Sequence, residues 1–148
     1  MTKRLSAKYK INRRLMCNLW GRPKSPFNRR EYRPGEHGQS RRRKATDYAM
    51  ALAEKQKMRY YYGLMEKQFR GVYKKTIRRR GVTGEIMLQI LETRLDSVVF
   101  SLGFGYTRAQ ARQMVTHGHV LVNGKRAHTP SIALNENDGV EIKPVEKS

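Results

Sequence analysis

The chain has 148 residues, enough for one domain or for two small ones sharing a modest core. Lys and Arg number 32 against 12 Asp and Glu, a net charge of +20 that repels itself in a compact chain until an anionic partner neutralises it, most commonly nucleic acid. The single cysteine, Cys17, excludes an intrachain disulfide and a Cys-rich zinc site, and no apolar run approaches the roughly 18 residues of a membrane span.

The charge is graded along the chain. Residues 1–45 carry 15 basic and 2 acidic side chains, residues 46–90 carry 10 and 4, and residues 91–148 carry 7 and 6. This reads as a basic arm (1–45), a helical domain (46–90) and a nearly neutral module (91–148). The Arg-rich, acid-poor N-terminus has the composition of a mitochondrial transit peptide. The same composition continues through Lys44, which fits a binding arm better than a removable address.

In the arm, GRPKSPFNRREYRPGEHGQSRRRK (21–44) is broken by Pro and Gly, so no long helix forms there and little can bury itself. The arm is expected to be extended and to order on a partner. Trp20, Phe27 and Tyr32 alternate with Arg22, Lys24, Arg29, Arg30 and Arg33. Guanidinium groups pair with phosphates while rings stack on exposed bases, so the mixture suits RNA. The run ending in Arg42, Arg43 and Lys44 reads either as an RNA contact or as an import signal on a disordered tail.

Thr46 predicts an N-cap and Asp47 suits the first turn of the helix behind it. Tyr48, Leu52, Met58 and Tyr62 fall roughly along one side, interrupted by Lys55. Tyr60-Tyr61-Tyr62 offers a stacking platform or core packing, and helical spacing lets only part of the run face one way. Gly63 ends this helix. A second begins near Glu66, with Phe69, Val72, Tyr73 and Ile77 at helical spacing and Arg78-Arg79-Arg80 at its C-terminus, where cations suit the helix dipole and can also meet phosphate. Thr83 predicts the cap of a third helix. Its apolar positions continue from Ile86 to Leu102 and stop at Gly103-Phe104-Gly105. A helix, not a strand, precedes that Gly-x-Gly, which rules out a dinucleotide loop.

Residues 107–126 read TRAQARQMVTHGHVLVNGKR. Thr107 and Gln110 fit a capping box, and a helix is expected from about Arg108 to Thr116, with Arg108 and Arg112 one turn apart. HVLV (119–122) predicts a strand, Asn123-Gly124 a hairpin turn, and Lys125-Arg126 the returning strand. Ser131–Leu134 and Val140–Lys143 read as further short strands around an Asp138-Gly139 turn. His117 and His119 have neither the carboxylate nor the cysteine company of a metal site. No nucleophile, carboxylate pair or phosphate loop marks catalysis. Two arginines beside a hairpin carrying Asn123, Lys125 and Arg126, with His117 at the junction, make a surface for phosphates and riboses. The expected fold is α+β: an extended basic arm, a helical middle, and short helices packed on a small, mostly antiparallel sheet.

LETRLDSVVFSLGFGYTRAQARQMVTHGHVLVNGKR (91–126) resembles the small RNA-binding module named after ribosomal protein S-four. NLWGRPKSPFNRREYRPGEHGQ (18–39) resembles the arm of bacterial-type members of that family, and EKQKMRYYYGLMEKQFRGVYKK (54–75) its helical middle. The resemblance covers nearly the whole chain, in order. It implies a structural protein of the small ribosomal subunit with no enzyme activity and no cofactor. Such a protein binds small-subunit ribosomal RNA early in assembly at a five-prime-domain junction, supports decoding accuracy and touches neighbouring ribosomal proteins. Its setting is a bacterial cytoplasm or an organellar, mitochondrial matrix. By match to the family pattern the RNA-binding residues are Arg22, Lys24, Arg29, Arg30, Tyr32, Arg33, His37 and Gln39 in the arm. In the module they are Arg94, Thr107, Arg108, Gln110, Arg112, His117, Asn123 and Lys125, while Asp96 is expected to order a helix end or pair with a neighbouring cation. Some members hold zinc through four arm cysteines; with only Cys17 here, that feature does not carry over. The family usually continues well past the strand matching 140–143. Two other readings compete with this one. An RNA-modifying enzyme needs a sizeable catalytic domain before the module, and a stalled-ribosome or stress-RNA binder lacks the GRPKSPFNRREYRPGEHG arm.

Overall fold

A computed structural model of the protein describes residues 7–40 and 44–143. Two compact units divide after Glu66.

The first unit holds helix α1 (Lys8–Leu15), short 3₁₀ turns at Pro26–Asn28 and Glu36–Gln39, and helix α2 (Asp47–Tyr61). The arm is therefore not featureless, contrary to the extended arm expected from its composition. Ile11 on α1 is buried, and side-chain amides hold much of the rest. Asn12, 1% exposed on α1, donates through Nδ2 to Ser25 Oγ at 3.1 Å and to Asn18 Oδ1 at 3.3 Å. The Asn18 amide donates to the Arg22 carbonyl at 2.9 Å, and the Asn28 amide to the Pro23 carbonyl at 3.0 Å. Arg13 ties α1 to the far end of the arm, donating to the Tyr32 and Arg33 carbonyls at 3.0 Å each, with its guanidinium 4.6 Å from the centre of the Tyr32 ring. Such Asn-to-backbone bonds give a Pro- and Gly-rich chain the partners a helix would otherwise supply.

Helix α2 starts where Thr46 predicted: the Thr46 hydroxyl accepts from Ala49 N. Its expected apolar stripe is not buried. Tyr48 is 77% exposed, Leu52 lies at the surface, and Tyr62, just past the helix, is the buried member of the set. Ion pairs of Lys57 with Glu54 and of Lys55 and Arg59 with Glu66 lie along α2 instead. Of the tyrosine run, Tyr60 lies under the Arg59 guanidinium and Tyr61 and Tyr62 meet edge to face, an arrangement of local packing.

The second unit continues through α3 (Glu66–Ile77), α4 (Thr83–Glu92), α5 (Leu95–Ser101) and α6 (Arg108–Thr116), then strands β1 (Val120–Val122), β2 (Lys125–Ala127) and β3 (Val140–Ile142). On α3, Phe69 is buried but Tyr73 and Ile77 are exposed, so only part of the expected face packs. Val82, not Thr83, stands at the cap of α4 and Thr83 is its first residue, so the helix begins one position earlier than expected. The apolar run 86–102 is two helices rather than one. Its break lies at Thr93-Arg94, where the backbone pairs with the chain before Leu134. Leu95 N donates to Ile132 O at 2.8 Å, Asp96 N to Pro130 O at 3.2 Å, and Leu134 N to Thr93 O at 2.9 Å. Amides bonded to another segment cannot continue a helical ladder. The same pairing leaves Ser131–Leu134 with a single bridge, Arg94 to Ala133, in place of the expected strand.

The sheet order is β2-β1-β3, antiparallel throughout, with Val120 opposite both Ala127 and Ile142. Asn123 and Gly124 both take positive φ, +50° and +75°, the backbone of a type I′ hairpin turn that matches the twist of its strands. The module core is Leu95, Val99, Ala111, Val115, Val120, Ala127 and Leu134, drawn from α5, α6, β1, β2 and the pre-β3 loop. Each fully buried Leu or Val contributes about 1.5–3 kcal/mol. The α+β class holds as expected: six helices and a small antiparallel sheet among the described residues.

Candidate nucleic-acid interface

Helices α5 and α6 pack together, and the arginines of α6 reach back over the start of α5. Asp96 is the hub. Arg94 grips it with two bonds, Nε to Oδ1 at 3.0 Å and Nη2 to Oδ2 at 2.9 Å, and Arg112 Nη1 adds a third to Oδ2 at 3.3 Å. Asp96 and Arg94 are buried, at 6% and 8% exposure. Arg112 is drawn below its usual value, by burial first; the Asp96 charge opposes this, and the like charge of Arg94 adds to the lowering. One turn earlier, Arg108 donates to Ser97 Oγ at 3.0 Å and Glu92 Oε1 at 3.3 Å, with its guanidinium 4.8 Å from the Phe100 ring centre. These arginines brace the helix pair from within, with an edge of Arg112 left at the surface.

The capping box closes one residue out of register. Thr107 Oγ1 accepts from Gln110 N at 3.1 Å, but Gln110 Oε1 accepts from Tyr106 N at 3.0 Å rather than from the cap residue. At the hairpin, Asn123 is occupied within the module: its amide donates to Asp138 Oδ1 at 2.8 Å and its Oδ1 accepts from Gly139 N at 2.8 Å. His117, Lys125 and Arg126 remain exposed beside it. In the arm, Arg22, Lys24, Arg29, Arg30, Arg33, His37 and Gln39 are exposed, as is Lys44, while Tyr32 is half-buried against Arg13. Arg42 and Arg43 lie outside the described residues. The structure thus separates the expected site residues into inward cations that shape the module and outward cations that face solvent. The roles of Arg13 and Tyr106, and the bond of the turn residue Asp138 to Asn123, were not legible in the sequence. Only the Asn123/Asp138 spacing around two turn dipeptides hinted at that bond.

The Asp138 carboxyl is held below its ordinary value, chiefly by the Asn135 backbone N–H at 2.7 Å and then by the Asn123 amide. A depressed folded-state pKa means the contribution is complete above the unfolded value, about 3.9, and is lost as pH falls through the folded one. The amide protection factors of Asn135 and Gly139 are therefore expected to stay constant above about pH 4 and to fall below it. Protection unchanged down to pH 2 would show that the carboxylate does not hold this turn.

A groove lined by Val98, Leu102, Leu134 and Val140 also carries Glu92, Glu136 and Asp138. Its carboxylates repel phosphate, so it is not the candidate surface. Among the described residues no three His, Cys, Asp or Glu side chains gather as a metal site, and His117 and His119 stand exposed with ring centres 6.1 Å apart.

A basic helical segment leading into a module of two cross-braced helices and a three-stranded hairpin sheet defines a class of scaffold protein whose exposed chemistry is cationic rather than catalytic. The chain belongs to the ribosomal protein S4 family: "Ribosomal protein S4/S9 N-terminal domain" matches residues 3–92 and "S4 domain" residues 93–140. This is not an enzyme family. Among its relatives, small ribosomal subunit protein uS4 of Parvibaculum lavamentivorans is 54% identical over 148 residues, 99% of this chain and 72% of the relative. The protein of the same name from Pelagibacter ubique is 53% identical over 148 residues, with the same coverage. That of Dinoroseobacter shibae is 55% identical over 144 residues, 97% of this chain and 70% of the relative.

Proposed function

We propose that the protein is a structural constituent of the small ribosomal subunit that binds small-subunit ribosomal RNA and touches neighbouring ribosomal proteins. Its RNA site is a helix junction of the five-prime domain, bound early in assembly, and its presence supports decoding accuracy. The observation that carries the reading is the match of both family regions, in order, on a +20 chain whose arm residues Arg22, Lys24, Arg29, Arg30, Arg33 and Lys44 are exposed. The mechanism is neutralisation. Converging RNA helices repel one another, and a cationic arm (1–45) and helical domain (46–90) let them approach while the module (91–148) fixes their orientation. Arg22, Lys24, Arg29, Arg30, Arg33, Lys44, Lys125 and Arg126 make the phosphate contacts, and Arg94, Arg108 and Arg112 hold the surface in shape. Family membership of bacterial type fits a bacterial cytoplasm or an organellar matrix equally.

Chemical footprinting on small-subunit ribosomal RNA tests this, with the wild type compared against Lys125→Ala/Arg126→Ala. These two side chains are exposed, so their loss leaves the module intact. Replacing Arg108 and Arg112 would confuse binding with folding. The expected result is protection clustered at one junction, weakened beside the hairpin in the variant, with the salt slope reduced by about one for each phosphate no longer paired. Diffuse protection indifferent to the variant would sink the proposal.

A further inference from the structure

We propose that Tyr106 is a stacking platform for one unpaired nucleobase; the inference rests on the RNA-binding reading above and deepens it. Tyr106 is 95% exposed, the most exposed large apolar side chain among the described residues. Exposure alone would mean little. What distinguishes this ring is its mount.

The backbone beneath it is fixed on both sides. Phe104 N donates to Val99 O at 3.2 Å, and Phe104 packs on the module core. Gly105 is buried so tightly that a Cβ there would lie 2.9 Å from Ala111 N, which puts the chain directly against α6. Tyr106 N donates to Gln110 Oε1, and the following residue, Thr107, caps α6. The displaced half of the capping box therefore serves to hold the Tyr106 backbone. A ring presented on a rigid mount loses little freedom when a flat partner lands on it, whereas a ring on a mobile loop must be ordered first.

Tyr48 and Tyr73 are exposed too, at 77% and 48%, but less so than Tyr106, and four other rings are engaged within the chain. Trp20 lies under Lys8, Tyr32 against Arg13, Tyr60 against Arg59 and Phe100 beneath Arg108. Tyr106 stands in solvent two residues from Arg108, in a module whose exposed cations draw RNA. Every base has a π face, so such a platform is indifferent to sequence. A base inside a duplex has both faces covered, so the occupant is a bulged, looped or helix-end base of the bound RNA.

The test is the dissociation constant of the full chain for a small-subunit ribosomal RNA fragment, with Tyr106→Ala, Tyr106→Leu and Tyr106→Phe. Stacking on one base predicts about 5- to 150-fold weaker binding for alanine. Leucine should lose nearly as much, and phenylalanine should stay close to the wild type. The salt slope should be the same for all four proteins, because a stacked ring releases no counterions. One base should be shielded from chemical probing by the wild type and by Tyr106→Phe, and open with Tyr106→Ala. Thermal unfolding of the variants should match the wild type, since the ring packs on nothing.

A localised footprint with equal affinity for wild type and Tyr106→Ala overturns this inference alone. So does a phenylalanine variant as weak as alanine, which would assign the effect to the hydroxyl. Diffuse protection by the wild type overturns the RNA reading and this inference with it.

Discussion

Asp96→Ala is expected to destabilise the protein by about 3–5 kcal/mol, the usual cost of removing one partner from a buried ion pair. Two guanidinium groups converge on this carboxylate, and Arg94 has nowhere else to turn: its side chain is 10% exposed and its bond to Asp96 is two-pronged. Arg112, with 22% of its side chain exposed, can relax toward water. The loss therefore falls mainly on Arg94, left charged and desolvated beside the first turn of α5. Against a typical stability of about 5–15 kcal/mol, such a loss threatens folding at physiological temperature. Urea unfolding followed by far-ultraviolet circular dichroism measures it. The companion variant Arg94→Met/Asp96→Leu separates the causes. It removes both charges and keeps apolar volume, so it is expected to recover most of the stability. A loss below about 1 kcal/mol for Asp96→Ala would mean that water reaches the pair and that it is worth no more than a surface bridge.

The second large effect concerns binding. With Arg22, Lys24, Arg29 and Arg30 all replaced by Ala, the plot of log affinity against log salt is expected to flatten by up to about 3.6, roughly 0.9 for each phosphate no longer neutralised. The wild type is expected to lose a factor of about 1,000 or more between 50 and 200 mM salt. These positions suit the experiment because their side chains are exposed and the bonds that hold the arm use Arg22, Arg29 and Arg30 through the backbone. The variant arm should keep its Asn12, Asn18 and Asn28 network. A filter-binding salt titration reads the slopes. Equal slopes for the two proteins would place the phosphate contacts elsewhere and leave the arm charges acting only at long range.

The two experiments probe the division that the structure makes among the cations. Inward arginines, paired with Asp96, Glu92 and Ser97, act on stability, while outward ones act on affinity. Arg108 and Arg112 were legible in the sequence as two residues one helical turn apart, but not which way they face. Helical spacing places a side chain on one side of its own helix; only the partner helix decides whether that side is core or solvent. The carboxylate that captures Arg112 lies 16 residues away, on α5.

The same contrast runs through the fold. The Thr46 cap, the bounds of α6, the Asn123-Gly124 turn and the α+β class were all readable, because each rests on interactions within four residues or on the backbone preference of one residue type. The break at Thr93-Arg94 was not. An unbroken apolar run predicts one helix, and the backbone bonds to Pro130 and Ile132 that interrupt it belong to a segment nearly 40 residues onward. Composition likewise described the arm as unable to bury itself, but Ile11 and Asn12 on α1 are both buried, and asparagine side chains supply bonds that its few apolar groups cannot. What the sequence alone determined about this protein was its charge gradient, its family and its local starts and stops, all set by short-range chemistry. What only the tertiary structure decided was which cations are internal struts and which remain for a partner, because pairing a buried arginine depends on a carboxylate that the folded chain, and not its neighbours in sequence, brings within reach.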